Sequence, residues 1–124
     1  YYEPLHFKIP FLVYGEALKR EYRGKSLSIP CSQIDFPATL LHQLGMKSGA
    51  FPISRDMTRK EKNPFTFFIF SDGLGYVSDN SQYSYNAEVS RIACSSRADG
   101  TDSLSLARGK MILQYLYDQY KKLN

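Results

Sequence analysis

The chain has no tryptophan, only two cysteines and only two histidines, and each scarcity removes a class of chemistry. Cys31 and Cys94 stand far apart, with no C-x-x-C pair and no histidine clustered beside either, so no zinc-ligand spacing is present. Buried free thiols are the plain reading of both. A disulfide between them would need an oxidising compartment and a close approach that sequence does not reveal. His6 and His42 sit in no Ser, Cys or metal-ligand arrangement, and none of the serines occupies a Gly-x-Ser-x-Gly elbow. Long apolar runs are also missing: nothing approaches the roughly 20 residues that span a bilayer as a helix. The opening Tyr1-Tyr2-Glu3-Pro4 has neither a basic start nor an apolar signal core, and the expectation is an excised or processed segment.

What is present fits one globular unit. The 124 residues are 43% hydrophobic and 23% charged, enough for one core and too few for two ordinary domains. The net charge of +4 raises the question of a polyanionic partner. Lys19-Arg20-Glu21-Tyr22-Arg23, Arg59-Lys60-Glu61-Lys62 and Lys121-Lys122 are separated clusters, two of them interrupted by Glu, and they read as solvated loops and a helix end. The 10 tyrosines offer stacking surfaces, although sheet and core packing is the ordinary use of aromatics at this density.

Along the chain, Ile9-Pro10-Phe11-Leu12-Val13-Tyr14 lacks polar alternation and reads as a buried parallel strand closed by Gly15. A charged loop follows, with a helical turn expected within 16–23. The segment 32–45 carries the clearest helix signals. Asp35 is placed to cap, Pro37 falls in the first turn, Gly45 is placed for the left-handed stop, and Ile34, Ala38, Leu41 and Leu44 share a face. His42 lies off that face and reads as an exposed helix residue; His6 reads as a loop residue. Phe65 to Phe70 is a dense aromatic strand, followed by a turn at Ser71-Asp72-Gly73, a strand over 75–78, a turn over 79–82 and a third strand over 83–94. An antiparallel meander is expected. Ser103 is placed to cap a final helix whose Leu106, Gly109, Leu113, Leu116, Tyr120 and Leu123 form one face for covering the sheet.

Two tempting motifs are weak. Asp72-Gly73-Leu74-Gly75 lacks the third glycine and following helix of a dinucleotide loop, and Asp99-Gly100-Thr101-Asp102 lacks the spacing and closing Glu of a calcium loop. Both read as turns.

The strand 9–14 with Gly15, the helix Ser32-Gln33-Ile34-Asp35-Phe36-Pro37-Ala38-Thr39-Leu40-Leu41 with Leu44-Gly45-Met46, the Phe65 to Val77 hairpin and Gln114-Tyr115-Leu116 together resemble one family. They look like the late part of the sulfatase branch of the alkaline phosphatase superfamily, and resemble in particular bacterial lipoteichoic acid synthase-like sulfatase proteins. Ala38 stands where many sulfatases have Pro, with Pro37 one position earlier. The resemblance implies an α/β fold, α+β in isolation: one parallel strand and helix from a doubly wound sheet in 1–50, then a small antiparallel subdomain in 51–124.

It also implies a parent enzyme acting on phosphate or sulfate esters through a Thr, Ser or modified Cys nucleophile and a divalent cation (Mn, Mg, Ca or Zn). Those groups precede the region matched here, so no catalytic, cofactor-binding or metal-ligating residue is carried onto this chain. The implied partner is the parent's N-terminal catalytic portion, at the cell envelope with a membrane anchor upstream. Neither nucleic acid nor membrane is an expected partner of the chain itself. A stand-alone glycan- or nucleic-acid-binding module and a structural or oligomerising domain are the alternative readings.

Overall fold

The structure, a computed structural model, describes residues 3–96 and 103–123. The chain forms two compact units: one built from the first eight residues together with 65–124, the other from Ile9–Pro64.

The first unit is α+β. Strands β1 (Phe65–Phe70), β2 (Gly73–Ser78), β3 (Gln82–Asn86) and β4 (Arg91–Ser95) form an antiparallel sheet in the order β1-β2-β3-β4. Chain order equals spatial order, so every connection is a short turn of the kind that local turn residues can specify. The stretch 83–94, expected as one strand, is two strands joined by a turn over 87–90. The Asn86 side chain accepts a hydrogen bond from Val89 N–H (3.1 Å), and Ser90 takes a positive φ of 51°, which reverses the chain.

Alternation divides the side chains between the two sheet faces. On one face Phe67, Tyr76 and Tyr83 lie opposite one another across three strands. The Tyr76 ring stacks on Phe65 at 5.6 Å and on Tyr83 at 5.4 Å. Helix α2 (Ser103–Leu123) covers this face, and its buried residues are Ser105 and Gly109. The Tyr83 hydroxyl, on a ring 0% exposed, donates to the Ser105 carbonyl at 2.8 Å. Gly109 permits the approach, because a Cβ there would fall on the Tyr83 hydroxyl and press on Leu74. The apolar stripe expected on α2 continues to Tyr120 and Leu123, but both are exposed.

On the other face Phe68, Gly75 and Ser84 are aligned, and the Phe68 ring lies over Gly75, where any Cβ would collide with it. A 3-10 turn at Pro4–Phe7 lays Phe7 on this layer, stacked against Phe68 at 4.1 Å and tilted against Phe70 at 5.8 Å. His6, in that turn, is exposed.

The second unit contains 3-10 turns at Arg20–Tyr22 and Gln33–Asp35 and helix α1 (Phe36–Gln43). Its helix ends as expected: Gly45 has a φ of 72°, and Met46 N–H reaches the Leu41 carbonyl at 2.8 Å. Of the expected apolar face Ala38 is buried and Leu44 exposed, and the helix also buries the polar Thr39 and Gln43.

The expected parallel strand is absent: no parallel strand occurs among the described residues, and 9–14 has no strand assignment. Leu12 is 89% and Tyr14 96% exposed. A buried parallel strand exists only between neighbouring strands with helices over both faces. The Ile9–Pro64 unit contains no other strand to pair with. Phe11 meets Phe36 edge-on at 5.7 Å.

Substituting Gly109→Ala is expected to lower the stability of the sheet unit by about 1–3 kcal/mol through overpacking, despite the higher helix propensity of alanine. Urea denaturation measures the loss. In a Tyr83→Phe background, which removes the obstructing hydroxyl, the same substitution should cost measurably less.

Candidate functional site

The titratable side chains of the second unit gather where the segment 54–59 is laid along α1. Its approach begins with a capping box: Ser32 N–H donates to Asp35 Oδ2 at 3.0 Å, and Ile34 N–H donates to Ser32 Oγ at 3.3 Å. Asp35, expected as the cap of α1 itself, makes no such cap. Its carboxylate, 1% exposed, also accepts from Arg55 N–H (3.0 Å), Arg55 Nε (3.2 Å) and Arg55 Nη2 (2.9 Å). Backbone and guanidinium of one residue are thereby held by a single carboxylate, and Arg55 Nη1 extends the pairing to Glu61 at 3.2 Å.

The next turns of α1 continue the attachment. Ala38 N–H donates to Ser54 Oγ at 2.9 Å. Thr39 Oγ1 donates to the Asp35 carbonyl at 2.7 Å and accepts from Met57 N–H at 2.9 Å.

One turn further on, His42 meets Asp56. The imidazole Nδ1 is in close ion-pair contact with Asp56 Oδ2, and Thr58 Oγ1 lies 3.4 Å from the same nitrogen while donating to Asp56 Oδ1 at 2.6 Å. The opposite ring nitrogen, Nε2, lies 3.4 Å from Lys19 Nζ. An ionised carboxylate only accepts and an ammonium only donates, so in the neutral ring these neighbours place the proton on Nδ1 and the lone pair on Nε2. Lys19 is held in place by its own N–H, which donates to Gln43 Oε1 at 3.0 Å. Arg59 Nε lies 3.4 Å from Asp56 Oδ2, although its side chain is largely exposed. Asp56 Oδ2 is buried, with the His42 ring and the Arg59 guanidinium beside it and no aligned hydrogen-bond donor.

His42 was expected to be an exposed helix residue outside any metal-ligand arrangement; it is half-buried and paired with Asp56. No local spacing announces this, since Asp56 and Lys19 come from segments on either side of α1 and meet it only in the fold. Both cysteines are free thiols. Cys31 is exposed as a residue, yet its thiol pKa is raised by desolvation first and by the Asp35 carboxylate second, with Arg55 opposing.

His42 and Asp56 do not fit a metal centre: they are two donors engaged with each other. No group of three or more His, Cys, Asp or Glu among the described residues is placed to hold a metal ion. Ser71 and Asp72 form the β1–β2 turn and Gly73 begins β2; the Asp72 carbonyl accepts from Ala87 N–H at 2.7 Å and its carboxylate accepts from the Asn86 side chain. A shallow cleft of about 410 Å³ at the end of the β3–β4 hairpin is lined by Asn86, Val89, Arg91, Ile92 and Ala93, with no catalytic grouping among them. The turn expected at Asp99-Gly100-Thr101-Asp102 lies outside the described residues. No helix among the described residues is long and apolar enough to cross a membrane.

In class, then, the first unit is a small antiparallel meander packed by a helix. The chain matches no family model, no curated protein and no solved structure.

Asp35→Asn is expected to destabilise the second unit by about 3 kcal/mol, because it leaves the Arg55 guanidinium facing a neutral amide and weakens the capping box. Amide hydrogen exchange reads this directly: protection should fall across 32–59 and stay unchanged in β1–β4, which serve as an internal control. The raised Cys31 pKa predicts slower alkylation by iodoacetamide near neutral pH than for an unperturbed thiol, the gap closing as pH rises and the thiolate forms.

Proposed function

We propose that this chain is the catalytically incomplete C-terminal part of a sulfatase-like or phosphoglycerol-transferase-like enzyme, a metal-dependent catalyst acting on phosphate or sulfate esters at the bacterial cell envelope. One observation carries the reading. The run Ile9-Pro10-Phe11-Leu12-Val13-Tyr14 has the composition of a strand buried on both faces, yet five of its six residues are large hydrophobics exposed to solvent. Exposed apolar groups of this extent in one continuous segment mark a surface meant to be covered. A parallel sheet supplied by the rest of the parent would cover it, flanking the run with strands and both faces with helices.

In this reading α1 follows its strand into the doubly wound layer, and the meander with α2 forms a small subdomain at the rim. The parent's N-terminal portion supplies the nucleophile and the divalent cation. That cation would polarise the ester and lower the pKa of the nucleophile. The residues of this chain would supply scaffold, and the element order that resembles the sulfatase branch supports the same assignment.

The test has two parts. In phosphodiesterase and sulfatase assays with manganese or magnesium, the isolated chain should turn over nothing beyond a mock preparation; turnover would defeat the reading. The chain should also bind a hydrophobic dye, and the double substitution Leu12→Ser and Tyr14→Ser should reduce dye fluorescence without changing the far-ultraviolet circular dichroism. Dye binding that these substitutions leave untouched would remove the strand argument.

A further inference from the structure

The net positive charge of the chain is not spread evenly. The Ile9–Pro64 unit holds nine Lys and Arg against five Asp and Glu, whereas the remainder holds seven of each, so the whole +4 belongs to the second unit. Three of its five carboxylates are already engaged: Asp35 and Glu61 with Arg55, and Asp56 with His42 and Arg59. The basic side chains at the end of α1 therefore stand in an electropositive field with the nearest carboxylate already committed.

We propose that Lys19, His42 and Arg59 form a proton-coupled site for a tetrahedral oxyanion, phosphate or sulfate, free or as an ester headgroup. In the unliganded state Lys19 Nζ lies 3.4 Å from His42 Nε2, which accepts from the ammonium when it carries no proton. The charged groups facing the ring are Asp56 and Arg59 from the 54–59 segment and Lys19 from the preceding loop. When an oxyanion arrives, Nε2 takes one proton from solvent and becomes a donor, while Nδ1 stays in ion-pair contact with Asp56. Lys19 turns its ammonium from the ring to the anion. Arg59, largely exposed, meets Asp56 Oδ2 through Nε at 3.4 Å, and its two terminal guanidinium nitrogens are the further donors assigned to the anion.

Buried Asp56 keeps the imidazolium oriented and compensates its charge; it is a positioning residue. Two cations 3.4 Å apart would repel one another without an anion between them, so proton uptake and anion binding favour each other. The site goes beyond the proposed enzymatic role and does not depend on it, because binding is measured on a chain expected to turn over nothing.

Sulfate is the probe of choice, since it remains a dianion throughout the titration range of histidine. Calorimetry of the whole chain at constant ionic strength, with chloride as the control, should give sulfate binding about tenfold tighter at about pH 5.5 than at about pH 8. At the higher pH, the observed heat should vary with the ionisation enthalpy of the buffer, showing uptake of a proton. Lys19→Met and Arg59→Gln should each weaken binding several-fold. His42→Gln should abolish the pH dependence and the proton uptake. Each variant is checked for an unchanged amide spectrum of β1–β4 and α1.

In the unsubstituted protein, chemical shifts of the His42 ring nitrogens and the Lys19 amide should move with sulfate and not with chloride. Phosphate and a phosphate monoester, run as separate arms, distinguish a free anion from an esterified one. Sulfate shifts no larger than those of chloride would overturn the proposal. So would binding without proton uptake at the higher pH, or equal binding by the Lys19 variant.

Discussion

A single buried carboxylate, that of Asp35, holds the second unit together. Burying a charge is unfavourable unless it is paired and hydrogen-bonded. Here the compensation comes from one partner twice over, through the backbone N–H and the guanidinium of Arg55, while the Ser32 N–H closes the turn behind it. The same group thus fixes the entry to α1 and the position of the 54–59 segment. Thr39 and Ser54 extend the attachment along the helix, and only then is Asp56 delivered to His42. The candidate site is the far end of a polar seam that starts at Asp35.

The first unit relies on the opposite physics. Its core is a set of aromatic rings packed closely where side chains are missing, Gly109 of α2 against the Tyr83 hydroxyl and Gly75 beneath Phe68. Tyrosine suits such a layer because the ring fills space while the hydroxyl finds a partner, as Tyr83 does at the Ser105 carbonyl. One unit is organised by directional polar bonds and the other by shape.

What could be read from the sequence follows this division. The meander and its covering helix were legible because strand alternation, turn residues and helical periodicity are local signals, as were the helix at 32–45 and its Gly45 stop. The β3–β4 turn escaped because Asn86 and Ser90 make it by a side-chain bond and a positive φ within a run that otherwise reads as strand. The strand at 9–14 was misread in this chain because composition reports how buried a segment is suited to be, and says nothing of whether its neighbours are present. The His42 cluster was illegible for another reason: Lys19, His42 and Asp56 approach only because Asp35 and Gln43 anchor the segments that carry them.

The Phe7 stack on Phe68 sets an order of events. The strands β1 to β4 can zip through adjacent hairpins, which close small loops quickly. Phe7 joins the same sheet only after the chain has travelled through the entire Ile9–Pro64 excursion, and the entropy of closing so long a loop delays it. The hairpins therefore assemble with their glycine-lined face still bare, and the N-terminal turn arrives as a late cover. Until that turn docks, the aromatic rings of the bare face are open to a wrong neighbour.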